Sequence, residues 1–304
     1  MKRSNLYIYS FSLIAFVVVF LLLDRFCASE ISKAVIARQY DNRISMLIDG
    51  KIDYDFLVMG SSRAARNIDP SDLSAYSLAY PGVNIDFQET VLRLVVASAK
   101  IPKKILLSVD DDFEVIDKNA ITYRYDLIYP YIYYEPVREI LCKKGVKNCF
   151  IGVISKSYVQ NLNIDEALSY FEYGALVPDW MNIVDFNDGS MLLDIQSVEF
   201  QDNGFLGEVK PYDKNLENPL LVEKLLSFID ICKKNRIELY ILFPPIFREE
   251  TPLFEDRIKE LCGDYPKYLD FSDRFRDKKF FYDTHHLLSV GAEILTKEIS
   301  DKIL

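Results

Sequence analysis

The sequence predicts an α/β protein, a parallel sheet covered by helices on both faces, set behind one membrane-spanning helix. Short continuous apolar runs alternate with helical periodicity, as strands buried on both faces require. Residues 6–23 form an uncharged, mostly apolar stretch. The 304 residues are 50% hydrophobic and 27% charged, which is a folding composition and not a disordered one. A net charge of −10 excludes a binder of phosphate backbones, which needs a basic face, so no nucleic-acid partner is expected. Five cysteines without a CxxC pair exclude a zinc ribbon. No metal and no cofactor is expected.

The elements follow in chain order. At helical rise, the stretch 6–23 spans about 27 Å, close to the roughly 30 Å hydrocarbon core of a bilayer. It is longer than the apolar part of a secretory signal, and Phe26-Cys27-Ala28-Ser29 is a poor cleavage site, so a retained anchor is expected. Lys2 and Arg3 precede the span, while Arg25, Lys33 and Arg38 follow it; the signal-like layout favours an inside N-terminus with the rest exported. Residues 1–24 are thus the N-terminal cytoplasmic residues and anchor, 25–52 a stalk helix, and 53–304 the α/β domain. Cys142 and Cys149 enclose a short loop that an oxidising compartment would close with a disulfide, two reduced cysteines being the alternative. The sequence leaves open whether Cys232 and Cys262 pair.

Within the domain, strands are expected at 55–59, 104–109, 237–243 and 268–271, and helices at 85–99, 225–234 and 289–303. Residues 113–220 break this rhythm and read as an insertion or lid. Tyrosines 123, 125, 129, 131, 133 and 134 crowd it, as a stacking platform, a membrane-interface belt or ordinary lid packing would.

Ligands of open parallel sheets bind outside the carboxyl ends of the strands. Gly60-Ser61-Ser62-Arg63 follows the first strand, Asp110-Asp111-Asp112 stops the second, and Asp283-Thr284-His285-His286 follows the last. A serine at a strand-to-helix turn exposes its hydroxyl beside a helix N-terminus that favours an oxyanion, but it needs a base. His285 and His286 are the only histidines. Asp283, three residues before His286, can orient that ring, so the roles of a Ser-His-Asp triad are available. Taken alone, Gly-Ser-Ser also suits a phosphate-binding or helix-capping turn, with Arg63 and Arg66 the nearby cations.

These residues carry a resemblance. Phe56-Leu57-Val58-Met59-Gly60-Ser61-Ser62-Arg63 followed by Asp69-Pro70 resembles the first block of SGNH (GDSL-type) hydrolases, with Gly-Ser-Ser for Gly-Asp-Ser. Ser77-Leu78-Ala79-Tyr80-Pro81-Gly82-Val83-Asn84 resembles the second block, and Asp283-Thr284-His285-His286-Leu287 with Gly291-Ala292 the last. The resemblance covers roughly residues 53–112 and 222–304. It implies a three-layer α/β/α flavodoxin-like fold with Ser62 as nucleophile, His286 as base and Asp283 as orienter; Ser61 and His285 are the runners-up for nucleophile and base. It also implies an oxyanion hole built from Ser62, the Gly82 N–H and residue 110, with Arg63 and Asn84 against the substrate. The third block departs: Ser108-Val109-Asp110-Asp111 puts an aspartate where the family has an asparagine donor. An ionised Asp110 cannot donate, which leaves a protonated Asp110, a substitute such as Arg63, or feeble hydrolysis.

The expectation is a serine acyl-ester hydrolase or O-acyltransferase, anchored in a bacterial inner membrane with its domain exported. Its substrate would be an acylated, above all acetylated, envelope polysaccharide or glycan. The alternative from another class is a catalytically silent SGNH-like domain that binds a glycan or a partner.

Overall fold

The computed structural model describes residues 3–39, 41, 43–97, 100–113, 127–128, 131, 134–143, 188–193, 200–201, 210–247 and 251–303. The chain divides into two compact units, Met1–Ser45 with Tyr125–Asp179, and Met46–Arg124 with Trp180–Leu304.

The first unit contains α1 (Arg3–Gln39) and α5 (Glu135–Lys143). In α1, the 21 residues Tyr7–Cys27 have a mean hydropathy of 2.2 and are almost wholly exposed, so this helix is long and apolar enough to span a membrane. The expected single stalk helix is interrupted: α1 continues to Gln39, and α2 (Arg43–Ile48) starts afresh. At its start the Asp41 carboxylate accepts Arg43 N at 3.0 Å. Val137, Ile140 and Leu141 form the buried stripe of α5. Cys142 is disulfide-bonded; its expected partner Cys149 lies outside the described residues. Tyr131 is buried at 1% exposure, so it offers no stacking face. Tyrosines 123, 125, 129 and 133 lie outside the described residues.

The second unit is the α/β body. Its sheet has five parallel strands in the order β2-β1-β3-β4-β5: β1 (Phe56–Met59), β2 (Tyr76–Ser77), β3 (Lys104–Ser108), β4 (Glu238–Phe243) and β5 (Lys267–Asp270). Register is set by Val58 opposite Leu106 and Leu106 opposite Tyr240. All four residues of β1 are buried, as a strand covered on both faces must be. Phe56, Val58, Leu106, Tyr240 and Leu242 share one core with Ala64 and Ala65 of α3 (Ser62–Asn67) and Leu295 and Ile299 of α8 (Ser289–Ile303). Leu57, Met59, Ile105 and Ile241 alternate to the other face and are equally buried.

Helices α4 (Ile85–Ala97) and α6 (Pro219–Lys234) pack against each other, as do α3 and α8. Asn218 caps α6, accepting Leu220 N at 2.9 Å, with Pro219 in the first turn. A further helix, α7 (Phe254–Cys262), lies between β4 and β5. Cys232 and Cys262 are both buried free thiols, and burial pushes each up to about 12. The C-terminal part of the insertion joins the sheet body, Ser77 N of β2 donating to Asp188 O at 2.7 Å.

Candidate active site

The site is built from two segments of the second unit. The first is the turn from β1 into α3. Gly60 sits there at φ +141°, and a Cβ on it would lie 2.9 Å from Ala64 Cβ and 3.0 Å from Ser108 O, so only glycine lets the chain turn this tightly. Two donors fix its carbonyl, Tyr80 N at 3.0 Å and Gln88 Nε2 at 2.6 Å. Ser61 is the N-cap of α3, and Ser62 follows in its first turn, where a backbone N–H has no intrahelical acceptor.

The second segment, 281–287, is a closed loop between β5 and α8. Phe281 and Leu287 pair across its base, and Tyr282 N donates to His286 O at 2.8 Å. Gly291 lets α8 abut this loop, because a Cβ there would meet Phe280 O at 2.8 Å. Inside the loop, Asp283 Oδ1 accepts His285 N at 2.9 Å and His286 N at 2.8 Å. The same carboxylate meets His286 Nδ1, with Oδ2 at 2.8 Å. Burial pushes Asp283 up, but the hydrogen bond and charge of His286 and the two backbone donors outweigh it and hold it at about 2. An ionised carboxylate only accepts, so Nδ1 carries the proton, and in the neutral ring Nε2 is left as an acceptor. His286 Nε2 lies 2.9 Å from Ser62 Oγ, which donates to it. Ser62, His286 and Asp283 therefore form one continuous hydrogen-bonded chain.

Asn67, which the sequence reading missed, joins the two segments. Its Nδ2 donates to His285 O at 3.0 Å, and its Oδ1 accepts Leu287 N at 2.8 Å, so one buried amide grips the backbone on both sides of His286. No local signal marked it, since Ser62-Arg63-Ala64-Ala65-Arg66-Asn67 is a mostly polar helix in which Asn67 is one polar residue among four. His285 points elsewhere, its Nδ1 2.8 Å from Thr284 Oγ1. Burial, then the Arg63 charge, lowers it to about 4 against the pull of Asp283, so it is neutral near pH 7 and separate from the serine.

Asp110 accepts the Ser61 hydroxyl. Ser61 is therefore engaged with Asp110 and not with a histidine. Arg63 is 7% exposed, with Nε 3.4 Å from Asp110 Oδ1 and Nη2 3.1 Å from Asp111 Oδ1. Thr251 Oγ1 also donates to Asp111. Burial pushes Asp111 up, and the charge of Arg63 with these hydrogen bonds brings it below the usual carboxylate range. The Arg63 guanidinium is thus spent on two carboxylates. Arg63 and Asp111 border a cleft of about 150 Å3 that Phe243 and Phe254 also line. Arg66 is half-buried; burial lowers it, opposed by the charges of Asp283 and Tyr282. Gly82 is exposed at φ +69°, and its N–H donates to no described residue. Asn84 caps α4 through Oδ1, 3.1 Å from Asp86 N, and lines a small cavity with Gly60 and Ser61. Among the described residues, no group of three acidic, histidine or cysteine side chains could hold a metal ion. No protein-family model and no curated protein matches this chain, so the geometry of these residues is what bears on its chemistry.

Proposed function

We propose that the chain is a membrane-anchored serine acyl-ester hydrolase or O-acyltransferase of SGNH type, in a flavodoxin-like α/β/α domain, acting on an acylated envelope glycan. The observation that carries this is the continuous chain from Ser62 Oγ through the His286 ring to Asp283.

Ser62 Oγ attacks the ester carbonyl while its proton passes to His286 Nε2; Asp283 keeps the ring oriented and stabilises the imidazolium. The backbone N–H groups of Ser62 and Gly82 receive the developing oxyanion. His286 returns the proton to the departing alkoxide, leaving Ser62 acylated. Water or a sugar hydroxyl, deprotonated by His286, then attacks the acyl-serine, giving hydrolysis or transfer. The apolar α1 supports an anchor, and the disulfide at Cys142 supports an oxidising, exported compartment.

One observation favours the second reading, a silent glycan- or partner-binding domain: Asp110 is an acceptor where the family places a donor. Losing one such donor typically costs about 10²–10³ in rate. Intact-mass analysis of the full-length protein in detergent with an organophosphorus probe separates the two readings. An adduct on Ser62 that disappears in Ser62→Ala and His286→Ala is expected. A folded wild-type protein that takes no label would overturn the enzyme reading in favour of binding.

A further inference from the structure

Behind the nucleophile turn lies a cavity of about 20 Å3 lined by Gly60, Ser61, Asn84, Gln88, Ser108 and Asp110, among others. Three buried polar atoms of these residues have no hydrogen-bond partner among the described residues: Gln88 Oε1, Ser108 Oγ and Asp110 Oδ1. Their orientations are imposed. Gln88 Nε2 is committed to Gly60 O at 2.6 Å, which turns Oε1 away from that carbonyl. Asp110 Oδ2 holds the Ser61 hydroxyl, leaving Oδ1 with Arg63 Nε at 3.4 Å. Asn84, whose Oδ1 accepts Asp86 N at 3.1 Å, also lines the cavity. A buried polar atom left without a hydrogen bond is destabilising. Two of the three atoms have no partner among the described residues and the third only the long ion pair to Arg63, so around one cavity they call for a shared partner.

We propose that this cavity binds one water molecule, which ties α4, the end of β3 and the nucleophile turn into a single hydrogen-bonded unit. The lining matches the inventory of a tetrahedral water: Gln88 Oε1 and Asp110 Oδ1 accept its two hydrogens, while Ser108 Oγ and Asn84 Nδ2 donate to its lone pairs. The space matches as well. One water needs roughly 10–15 Å3, and the cavity offers about 20 Å3. The Asp110 carboxylate repels an anion, and among the described residues no group of three acidic, histidine or cysteine side chains could hold a metal ion.

The water's partners are the groups that hold the turn. Gln88 grips Gly60 O and Asp110 grips Ser61 Oγ, one and two residues before Ser62. Bound water therefore positions the Ser62 hydroxyl without touching the reacting atoms, and Gln88 and Ser108 are positioning residues.

Two readouts on the full-length protein in detergent test this. Crystals diffracting well enough to show ordered waters are expected to reveal a peak bonded to Gln88, Ser108, Asp110 and Asn84. The peak should be absent in Ser108→Val, whose methyl groups enter the cavity. No peak in the wild type, or a peak with cation contacts, overturns the site. The positioning role rests on the serine-enzyme reading. With saturating organophosphorus probe, Ser108→Val should slow labelling of Ser62 about tenfold at unchanged half-saturation. Ser108→Thr, which keeps the hydroxyl, should restore the rate. Equal rates in all three proteins overturn positioning. Should Val fail to fold, Ser108→Ala, which removes the donor without added bulk, should weaken the density and slow labelling. A wild type that takes no label refutes the serine reading instead, and the density alone then decides the water site.

Discussion

His286 Nε2 lies 2.9 Å from Ser62 Oγ although 224 positions separate the two residues. The contact depends on a side chain that does two jobs, since Asp283 both closes the loop through backbone N–H groups and fixes the tautomer of the ring.

Asp283→Asn separates those jobs. The amide oxygen still accepts the two backbone donors, so circular dichroism and thermal melting should change little. The ring loses its anionic partner, and labelling of Ser62 should fall by a factor on the order of 10³–10⁴. A variant that labels at the wild-type rate would remove Asp283 from the chemistry.

Asn67→Ala leaves His285 O and Leu287 N without their buried partner. Chemical denaturation should show a loss of about 2–4 kcal/mol, one unsatisfied group on each side of His286. Asn67→Asp keeps an acceptor for Leu287 N but sets a buried carboxylate against His285 O, and should destabilise at least as much. Unchanged stability in both would mean that the loop is held elsewhere.

Asp110→Asn keeps an oxygen for the Ser61 hydroxyl but sets an amide donor where Oδ1 faces Arg63 Nε and the cavity. Labelling at Ser62 should fall, because a donor there neither pairs with the guanidinium nor accepts from the bound water. A rise of about 10²-fold instead would mean that the amide serves the oxyanion.

Acid stability follows from two groups with one sign. His285 is held at about 4 against an ordinary 6.5, so between these values the unfolded chain binds more protons. Its contribution is complete above pH 6.5 and is lost as pH falls to 4, up to about 3 kcal/mol. Asp283, at about 2 against 3.8, contributes above 3.8 and loses that contribution toward 2. Denaturation curves measured across this range should steepen below pH 6.5, and His285→Gln should flatten the upper window only.

Much of the α/β body was legible because its strands are buried on both faces. Continuous runs such as Phe56-Leu57-Val58-Met59 have no other use in a charged chain, and β1, β3, β4 and β5 stand where those runs lie. The strand β2 was not legible: two residues, Tyr76 and Ser77, are too few to show a period. The helix α7 was hidden by its polarity, with only Phe254, Ile258 and Cys262 buried. The apolar spacing of the stalk runs on past Gln39 and so reads as one helix, whereas the chain starts a second helix at Arg43.

The sequence by itself determined that an apolar helix precedes a parallel α/β sheet, and that serine, aspartate and histidine stand at strand ends; both follow from local patterns of hydrophobicity and turn residues. Tertiary structure decided which serine meets which histidine. Ser61 and Ser62 are neighbours in the chain, yet the turn at Gly60 sends one hydroxyl to Asp110 and the other to His286. It also decided that Arg63 is consumed by Asp110 and Asp111, and that Asn67 clamps the histidine loop. These are contacts between segments far apart in the chain. Their energies depend on distance and burial, which no local pattern encodes.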